Sequence, residues 1–506
     1  MNLGFFLANA AARYPRNIAV IDERGQWTYA QLQRRCARLA GAMLAWGLRP
    51  GDRVALLFYN TMHMVESYLA CAQVGLVATP VNFRMRGGEM AFILNDSGAR
   101  ALLYGSEFNH QVQEIAGQLE QLELLVTPRA ERAGPARDYE TFLSQGPRQD
   151  VAPGIDLSHP CQVMYTSGTT GRPKGAVITH GNVIWNLVNT MHGRDDRAGQ
   201  VSIIVGPLYH TAALNNHLTI QLALGGTCVL VRKFDPEGLL RTIEAHRATV
   251  ISGSPAMYNL LMAHPRAGDY DTTSITKCTS GADKLSMRTK QRLMEFFPSI
   301  NGVYDVYGCT EASPCITILN ATDSLRKDFS VGPALPFLQA RVVDPAGEPL
   351  PPGQVGELVC RGPNVMAGYH NDPQATRRAV KDGWLYTGDL ARTDDEGFFY
   401  IVDRKKDMVV SGGENIYPRE VEEVLYNHPD IIDAAVLGLP DPTWGESVVA
   451  VVVKRPGSAL DAAGVIDFCK QRLAGYKKPR RVEFTDELPR NPSGKVLKKD
   501  LRARLA

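Results

Sequence analysis

The chain has 506 residues, more than one ordinary hydrophobic core accommodates, so the sequence predicts at least two domains. Apolar residues make up 44% of the chain and charged residues 21%, which is typical of globular proteins. The 55 basic and 53 acidic residues leave a formal net charge of +2, which excludes a global attraction for nucleic acid or an anionic membrane. The function must therefore be argued from local sites.

The first residues, MNLGFFLANAAARYP, contain a short apolar run without a basic residue before it, unlike a secretion signal. Leu3, Phe6, Leu7, Ala10 and Tyr14 recur there at helical spacing, which predicts a docked amphipathic helix. No run of about 18 apolar residues follows, so no spanning helix is expected, while peripheral contact with a membrane stays open. Nine cysteines without a Cys-x-x-Cys pair fit neither a disulfide framework nor a zinc site, so we expect a reduced, cytoplasmic location.

Helical patterns alternate with short apolar runs over most of the chain that follows. TYAQLQRRCARLAGAMLAWG has helical periodicity, and RVALLF, VLV and ATVISG are typical of buried strands. This alternation predicts β-α-β units and largely parallel sheets. Towards residue 400, ARVVD, GELVCRG and GFFYIVDR are short strands separated by Gly, Pro and Asp turns, which predicts a small β-rich subdomain.

The segment after Asp403 begins with the charge cluster RKKD and continues as a self-contained set of elements. The helices PREVEEVLYNH and AAGVIDFCKQRLAG are interleaved with the strands MVV, DAAVLGLP, SVVAVVVK and RRVEF. The predicted fold class is therefore α/β. It has a large N-terminal domain at residues 1–403, which includes the β-rich subdomain, and a smaller α+β C-terminal domain at residues 404–506.

A loop rich in glycine and hydroxyl side chains, YTSGTTGRPKG, has the composition of a phosphate-binding loop. In the common nucleotide-binding loop a lysine directly follows a glycine at the start of a helix, whereas here Lys174 lies three residues beyond Gly171. The flanking stretches CQVMY and AVIT are typical of strands, so the loop is predicted to join two strands. Glycines, Gly175 among them, let backbone N–H groups approach an anion, hydroxyls add donors and the lysine supplies charge. The predicted phosphate-binding residues are Thr166, Ser167, Gly168, Thr169, Thr170, Gly171 and Lys174.

Two later stretches of the predicted N-terminal domain carry further polar residues. YDVYGCTEAS places Thr310 and Glu311 after a Tyr-Gly turn, a hydroxyl and a carboxylate suited to holding Mg²⁺. GWLYTGDLA contains Asp389, which we expect at a turn. Taken alone, such an aspartate is as well explained by capping of that turn.

Two stretches near the C-terminus add charges and glycines. DRKKDMVVSGGENIYPREVEEVL contains an ion-rich joint and a glycine pair, and PRNPSGKVLKKDLR places Lys495 on a tight loop. A single lysine in a basic tail is by itself usually solvated. KKPRR, at residues 477–481, resembles a nucleic-acid patch, but the nearly neutral chain favours a solvated surface, and no nucleic-acid partner is expected.

Together the five stretches resemble, in order and spacing, the adenylate-forming superfamily of acyl-CoA synthetases, firefly luciferases and peptide-synthetase adenylation domains. The resemblance covers essentially the whole chain. It implies an ATP-dependent, AMP-forming acid–thiol ligase of the fatty-acid or aryl acid–CoA ligase branch, with a place in lipid metabolism. ATP and a carboxylic acid would give acyl-AMP and pyrophosphate, and CoA would then give acyl-CoA and AMP, with Mg²⁺ as the metal.

The resemblance also assigns the nucleotide contacts. The glycine-rich loop would wrap the β- and γ-phosphates of ATP. SGADKL matches one wall of the adenine site, although its wording departs from the commoner Gly-Gly-Ala-Pro. The implied adenosine contacts are Tyr307 packed on adenine, Gly281, Ala282 and Asp283 opposite it, Asp389 accepting both ribose hydroxyls, and Arg404 as the cation beside that carboxylate.

The same resemblance assigns catalytic roles to Lys495, Thr310 and Glu311. Thr310 and Glu311 match the α-phosphate and Mg²⁺ positions, and Lys495 matches the lysine that bridges the attacking carboxylate and the α-phosphate. A cation is needed there because two anions repel each other and charge builds on the pentacoordinate phosphorus. No general base is required, since the acid is already ionised at neutral pH.

The second half-reaction involves the C-terminal domain, which in the superfamily rotates between the two steps. The rotation occurs about a residue two positions past the arginine, here Lys406, so a mobile C-terminal domain is expected. Gly412 and Gly413 of SGGEN would then line the pantetheine channel, because glycines permit close passage of a narrow ligand. DPTWGES matches a segment near the same channel, with Trp444 as the contact.

The acyl pocket is the least specified part of the site. His210 in PLYHTAALN matches a segment that borders the pocket, although a purely structural histidine is an equal alternative. Gly281, Ala282, Cys309 and Cys315 are small and leave room for a long or planar group. No arginine stands out as a partner for a second carboxylate. We therefore expect a hydrophobic monocarboxylic acid, either medium- to long-chain fatty or aryl.

Other functions stay open at this point. A free-standing adenylation enzyme would load a carrier protein, but the chain ends at Ala506 without a carrier domain, so CoA is the expected acceptor. A luciferase-like monooxygenase would consume oxygen and emit light. A kinase is disfavoured by the loop spacing, and a homodimer is left open. A catalytically dead nucleotide-binding protein is disfavoured because it would not need all of the charged residues Lys174, Glu311, Asp389, Arg404 and Lys495.

Overall fold

The structure is a computed structural model, and it forms two compact units. The first unit comprises Met1–Ala340 and Cys360–Leu385, and the second comprises Arg341–Val359 and Tyr386–Ala506. The boundary predicted after residue 403 concerns a mobile joint, which this division does not test, so it stays a prediction. The structure describes residues 2–130, 134–152, 154–166, 173–281, 285–490 and 496–505.

Helices and strands alternate along most of the described chain. The strands are β1 Ile18–Asp22, β2 Gly25–Thr28, β3 Arg53–Leu57, β4 Val77–Pro80, β5 Ala99–Tyr104, β6 Leu124–Thr127, β7 Arg137–Asp138, β8 Pro160–Thr166, β9 Lys174–Thr179, β10 Val201–Ile204, β11 Thr227–Leu230, β12 Val250–Gly253, β13 Lys277–Gly281, β14 Val303–Gly308, β15 Cys315–Leu319, β16 Gln339–Val343, β17 Gly356–Arg361, β18 Gly368–Tyr369, β19 Val380–Lys381, β20 Trp384–Thr393, β21 Phe399–Arg404, β22 Val409–Ser411, β23 Glu414–Ile416, β24 Ile431–Asp441, β25 Gly445–Lys454 and β26 Arg481–Phe484. The α-helices are α1 Gly4–Arg13, α2 Tyr29–Trp46, α3 Met62–Val74, α4 Gly87–Ser97, α5 Asn109–Ile115, α6 Tyr139–Gln145, α7 His180–Arg194, α8 Thr219–Ala223, α9 Pro236–His246, α10 Pro255–Met262, α11 Met287–Phe296, α12 Pro373–Ala379, α13 Pro418–Tyr426, α14 Ala462–Lys470 and α15 Lys498–Leu505. Within these described residues no helix is both long and apolar enough to cross a membrane.

Two eight-stranded sheets form the framework of the first unit. One has the strand order β15-β14-β13-β12-β10-β11-β1-β2, and the other has the order β18-β9-β8-β4-β3-β5-β6-β7. The inner pairs are parallel, while β2, β15, β9 and β18 pair antiparallel with their neighbours. The prediction of β-α-β units and largely parallel sheets is therefore confirmed.

The sequence directly explains how the first helices begin and end. Thr28 caps α2 in a capping box, in which its hydroxyl accepts from the Gln31 N–H and the Gln31 side chain accepts from the Thr28 N–H. Gly47, at φ 119°, ends the helix in a left-handed conformation. Helix α1 has the predicted docked face, with Leu7 and Ala10 buried.

The N-terminal segment is held by one buried histidine. The backbone N–H of Leu3 donates to Nδ1 of His180 at 3.1 Å, and His180 is fully buried at the start of α7. Burial lowers the pKa of His180 to about 4. The neutral imidazole accepts the N–H of Leu3, and a second ring proton would remove this acceptor.

The second unit is rich in strands, as predicted. In it β20 pairs antiparallel with β21, and a five-stranded sheet has the order β23-β22-β25-β24 with β26 parallel to β25. Val421 of α13 and Val465 of α14 share one buried core with Val436 of β24 and Ala450 of β25. This α/β architecture, with a large N-terminal part and a smaller C-terminal part, agrees with the predicted fold class.

Candidate functional site

Some of the residues predicted to bind the nucleotide or to catalyse lie outside the described residues. These are Ser167, Gly168, Thr169, Thr170, Gly171, Ala282, Asp283 and Lys495. Their roles stay predictions. The remaining predicted residues divide between the two units, and each set is described within its own unit.

The glycine-rich stretch joins two antiparallel strands of the first unit, as predicted. Thr166 at the end of β8 is paired with Lys174 at the start of β9. Both residues are half-buried, and the Thr166 hydroxyl makes a long contact of 3.5 Å with the carbonyl oxygen of Lys174. The strands thus bring the two ends of the predicted phosphate loop side by side.

Gly175 follows Lys174 and is tightly packed against the neighbouring strand. A Cβ atom at Gly175 would lie 2.7 Å from Cγ1 of Val163 and 3.1 Å from Cζ of Tyr165, both on β8. The hydroxyl of Tyr165 donates to Asp96 at 2.6 Å, which fixes that ring. Packing against β8 is thus one reason for a glycine here, and the expectation that this glycine also lets the backbone approach phosphate stays a prediction.

The two described residues of the predicted adenine site lie on neighbouring parallel strands. Gly281 ends β13, Tyr307 lies near the end of β14, and Gly281 is paired with Val306. A Cβ atom at Gly281 would lie 3.0 Å from the carbonyl oxygen of Val306, so the strand pairing leaves little space there. The carboxyl ends of parallel strands are a common place for ligands in α/β sheets.

Thr310 and Glu311 begin a single 3-10 turn that follows β14. Both are half-buried. The carbonyl oxygen of Glu311 accepts the N–H of Met366 at 2.8 Å, and its Oε1 accepts the hydroxyl of Tyr369 at 2.7 Å. A half-buried carboxylate beside a hydroxyl offers the hard oxygen ligands that Mg²⁺ prefers.

Tyr369, which the sequence did not indicate, contacts two of the predicted residues. Its hydroxyl donates to Glu311, and Nζ of Lys174 lies 5.4 Å from the centre of its ring. Burial, together with the negative charge of Glu311, raises the pKa of Tyr369 well above its usual range, so the hydroxyl keeps its proton. Only its place in the short sequence GYH, between glycine and histidine, could have drawn attention to it.

The residues predicted for the acyl pocket differ in exposure. His210 is half-buried in the turn after β10, next to a π-helix at Ala212–Leu218, an element often found at functional sites. Cys309 is half-buried between β14 and the 3-10 turn. Cys315 is fully buried, its backbone N–H donates to Asn186 at 2.9 Å, and burial raises the pKa of its thiol to about 12.

A second group of potential metal ligands in the first unit has another explanation. His63, Glu66 and Glu140 place one ligand atom each within 4.8 Å of one another. Arg35 pairs with both carboxylates, at 2.6 Å from Glu66 and 2.7 Å from Glu140. The arginine supplies the positive charge that this acidic pair requires, so the group is an ion-pair network.

Asp389 lies in the second unit, and its predicted place at a turn is wrong. It lies inside β20, directly opposite Arg404 of β21, and Arg404 Nε is 3.3 Å from Asp389 Oδ1. Gly388 adopts φ 74°, yet pairing on both sides keeps the segment in the sheet. Strand pairing, which a local pattern does not reveal, overrides the turn preference of Thr-Gly-Asp.

Lys406, the predicted hinge residue, lies exposed in the turn after β21. Its neighbours on both sides are anchored within the second unit. Lys405 Nζ is 2.9 Å from Glu357, and Arg502 of α15 is 3.1 Å from Asp407. The backbone N–H of Asp407 donates to the carbonyl oxygen of Arg404 at 2.9 Å, which closes the turn.

The glycine pair forms the two-residue turn of a hairpin between β22 and β23. Gly412 and Gly413 have φ values of 61° and 83°, the left-handed values that such turns require. A Cβ atom at Gly412 would lie 2.8 Å from Cε3 of Trp444, whereas one at Gly413 would meet nothing within 4 Å. Trp444 is 42% exposed and carries Arg480 4.4 Å above its ring.

The segments on either side of Lys495 are firmly held. Arg490 and Val496 form an isolated antiparallel bridge, and the N–H of Leu497 donates to the carbonyl oxygen of Pro489 at 2.8 Å. Lys498, the first residue of α15, pairs with the half-buried Glu422 at 2.8 Å. The described ends of this stretch are therefore fixed to the rest of the second unit.

Comparison with known families gives matches to both parts of the chain. A family model described as AMP-binding enzyme matches residues 7–370, and one described as AMP-binding enzyme C-terminal domain matches residues 420–495. These two matches cover the stretches that carry Lys174, Glu311 and Lys495.

Individual relatives match over nearly their full lengths. The chain is 41% identical over 505 residues to a feruloyl-CoA synthase of Amycolatopsis sp, with 99% of each chain covered. It is 34% identical over 526 residues to a long-chain-fatty-acid–CoA ligase of Bacillus subtilis (strain 168), with 98% of this chain and 93% of the relative covered. A solved structure of the anthranilate CoA ligase AuaEII with anthranoyl-AMP aligns with a TM-score of 0.93 at 25% identity, covering 100% of this chain and 97% of that one. The chain therefore belongs to the AMP-binding enzyme family and, within it, to the acyl-CoA synthetase branch of the adenylate-forming superfamily, whose members are ATP-dependent, AMP-forming acid–thiol ligases.

Proposed function

We propose that this chain is an acyl-CoA synthetase for a hydrophobic monocarboxylic acid, aryl or medium- to long-chain fatty. In the first half-reaction the carboxylate oxygen attacks the α-phosphorus of ATP, the bond to the β-phosphate oxygen breaks, and acyl-AMP and pyrophosphate form. In the second, the thiol of CoA attacks the acyl carbon, AMP leaves, and acyl-CoA forms as the thiol loses its proton.

One observation supports this proposal most directly. Within the first unit, Lys174 at the end of the glycine-rich loop and Glu311 on the 3-10 turn contact the same side chain, Tyr369. A cation beside a glycine-rich loop suits a polyphosphate, and a carboxylate suits the metal that accompanies it. The cation and the carboxylate that an Mg²⁺-bound nucleotide requires therefore both contact one tyrosine.

The residues present fit Mg²⁺. Among the described residues Glu311 forms no ion pair, and only Oε1 of its carboxylate accepts a hydrogen bond, from Tyr369. In the proposal Glu311 and the hydroxyl of Thr310 hold the metal. When bound, Mg²⁺ neutralises phosphate charge and makes pyrophosphate a better leaving group.

The protein's own residues perform the rest of the proposed chemistry. Tyr307 packs on adenine, and Asp389 accepts the ribose hydroxyls while Arg404 keeps that carboxylate oriented. Lys174 grips the departing phosphates, and Lys495 stabilises the charge that develops at the α-phosphorus. Gly412, Gly413 and Trp444 border the thiol path, and Lys406 is the residue about which the C-terminal domain turns. His210, Cys309 and Cys315, with Gly281, border the acid.

The relatives support CoA as acceptor and set the order in which acids should be tested. The relative with 41% identity is named for a feruloyl substrate and the one with 34% identity for long-chain fatty acids. Aryl acids are therefore the first class to examine. A cytoplasmic location is part of the proposal, because all nine cysteines are free thiols, the form that a reducing compartment maintains.

The decisive experiment measures acid-dependent release of pyrophosphate and AMP by the purified full chain. Hydroxycinnamic, benzoic, fatty and dicarboxylic acids are each supplied with ATP and Mg²⁺, with and without CoA. We expect equal amounts of AMP and pyrophosphate, only with a monocarboxylic acid, and a thioester only with CoA. ADP as product would contradict the proposal. If acyl-AMP does not react with CoA but reacts with a carrier protein, the acceptor is the carrier protein and not CoA.

A further inference from the structure

Tyr369 occupies a rigid position in the first unit. It ends β18, where it pairs with Ala176 of β9, the residue after Gly175. Its backbone N–H donates to the hydroxyl of Thr376 at 2.8 Å, and the N–H of His370 donates to the carbonyl oxygen of Gly175 at 2.7 Å. The main chain of Tyr369 is therefore fixed between β9 and the start of α12.

The side chain of Tyr369 contacts one negatively charged and one positively charged side chain. Its hydroxyl donates to Oε1 of Glu311 at 2.7 Å, while its ring faces Nζ of Lys174 at 5.4 Å. A hydrogen bond to a carboxylate and a cation over an aromatic ring are both electrostatically favourable. A single side chain thus fixes the position of one anion and one cation.

The charges around Tyr369 explain why its two contacts affect the binding of a ligand. Neither Lys174 nor Glu311 forms an ion pair with a residue that the structure describes, although the two charges share a neighbour. If they paired directly, each would neutralise the other and neither would be available to a ligand. The tyrosine satisfies both electrostatically without cancelling either charge, since it carries no charge itself.

We propose that Tyr369 is a positioning residue that keeps Glu311 oriented for Mg²⁺ and Lys174 oriented for the phosphates. The proposal rests on the function proposed above. Residues that orient metal ligands typically change metal affinity by about 10- to 100-fold when they are removed. The hydroxyl and the ring have separable roles, because one contacts Glu311 and the other contacts Lys174.

Two substitutions separate these roles. Tyr369→Phe removes the hydroxyl and keeps the ring, whereas Tyr369→Leu removes both. The first should weaken Mg²⁺ binding in the presence of a non-hydrolysable ATP analogue by about tenfold, without changing the affinity for the metal-free analogue. The second should weaken the binding of both. Calorimetric titration gives both affinities without turnover.

Tyr270→Phe is a matched control. The hydroxyl of Tyr270 donates to Glu237 at 2.8 Å, and Arg266 lies 5.9 Å from the centre of its ring, so it makes the same two kinds of contact elsewhere in the first unit. This variant should bind metal and nucleotide like the unmodified chain. Glu311→Gln should weaken Mg²⁺ binding, and adding Tyr369→Phe to it should cause no further loss, because the partner of the hydroxyl has already lost its charge.

The outcomes distinguish this inference from the proposed function. If the unmodified chain releases AMP and pyrophosphate but Tyr369→Phe binds Mg²⁺ normally, the positioning role is wrong and the function stands. If Tyr369→Phe and Tyr270→Phe weaken binding equally, the effect is general destabilisation, which also overturns the role. A chain that yields ADP would refute the proposed function itself. Should Tyr369→Leu fail to fold, the Tyr369→Phe titration still decides.

Discussion

Two groups of predicted functional residues, one in each unit, are held by different means. In the first unit Gly281, Tyr307 and Lys174 lie on strands, and the register of neighbouring strands fixes their positions. In the second unit Lys406 and the pair Gly412 and Gly413 lie in turns, whose flanks are held by ion pairs and a tryptophan. Strand register is set by many backbone hydrogen bonds and is difficult to change, whereas turns and ion pairs can rearrange with little cost. The first arrangement suits a fixed nucleotide site, and the second suits residues used at only one step.

The largest expected effect concerns Lys495, whose replacement should separate the two half-reactions. Lys495→Ala removes a cation at the proposed transition state, which should slow acyl-AMP formation by about 100- to 1,000-fold. The same variant should still convert supplied acyl-AMP and CoA to acyl-CoA. Quenched-flow measurement of pyrophosphate and of thioester gives the two rates separately.

Lys499→Ala is the control for Lys495→Ala, because it removes an exposed lysine four residues further along. It should leave both rates unchanged. If Lys495→Ala impairs both half-reactions to the same degree, residues of the second unit are not restricted to one step, and the functional contrast between the units is wrong.

A smaller effect is expected on the acid stability of the first unit. His180 is neutral when folded, with a pKa of about 4, but has a pKa near 6.5 when unfolded. The unfolded state therefore binds a proton first, and stability present above pH 6.5 is lost as the pH falls towards 4. The loss that His180 alone contributes at pH 5 is about 2 kcal/mol. Hydrogen exchange should show first-unit peptides losing protection, since the second unit contains one histidine, His428.

His180→Gln should reduce this dependence on pH between about 7 and 5, because its side chain does not titrate. His110→Gln is the control, since that histidine has an 84% exposed side chain. A His180→Gln protein with an unchanged pH profile would show that the buried imidazole does not govern acid stability. Equal losses of protection in both units would show that they do not differ in this respect.

The glycine pair allows a finer test of the second unit. Alanine at either position costs about 1–2 kcal/mol of backbone strain, because both glycines have positive φ. Only Gly412→Ala also displaces Trp444, which lies 2.8 Å from the added Cβ. Thioester formation should therefore fall about tenfold more in Gly412→Ala than in Gly413→Ala, a difference of about 1.4 kcal/mol. Rates of thioester formation from supplied acyl-AMP measure this difference.

Acyl-AMP formation should be the same in Gly412→Ala and Gly413→Ala. Indistinguishable thioester rates in the two variants would remove Trp444 from the proposed thiol path. The comparison between the units would then depend on Lys495 and Lys406 alone.

The smallest effect is expected at the ion pair beside the predicted hinge. Arg502 and Asp407 are partly exposed, with side-chain exposures of 34% and 13%, and such pairs contribute about 0–1 kcal/mol. Asp407→Asn should therefore lower the free energy of unfolding by less than about 1 kcal/mol. Urea unfolding measures this change, with Asp500→Asn, at an exposed position of α15, as control. A loss of several kcal/mol would show that this turn is as rigid as the strands of the first unit.

Several elements could be predicted because their signals are local. The helical spacing of Leu3, Leu7 and Ala10 depends on residues three or four positions apart. The strands on either side of the glycine-rich stretch were likewise evident from short apolar runs. Asp389 was misplaced because its strand is stabilised by partners that are distant in sequence.

The candidate site shows the same division. Lys174 and Glu311 were identified from the chemistry of their side chains within short motifs. Their common contact with Tyr369 was not, because 58 residues separate Tyr369 from Glu311 and no periodic pattern connects them. The structure also adds packing reasons for two glycines that the sequence did not reveal: Gly175 is packed against Val163 and Tyr165, and Gly412 lies in a turn beside Trp444.

The sequence by itself determined the family, through the resemblance of its ordered motifs. It also determined the α/β class, the order of helices and strands, and the identity of the charged residues, because composition and periodicity are properties of neighbouring residues. The tertiary structure alone decided that Asp389 lies in a strand opposite Arg404, that Cys315 is buried, and that Tyr369 contacts both a lysine and a glutamate. These facts depend on strand pairing and packing between distant segments. Such contacts form only when the whole chain folds, since each is stabilised by burial and backbone hydrogen bonds that no single segment supplies.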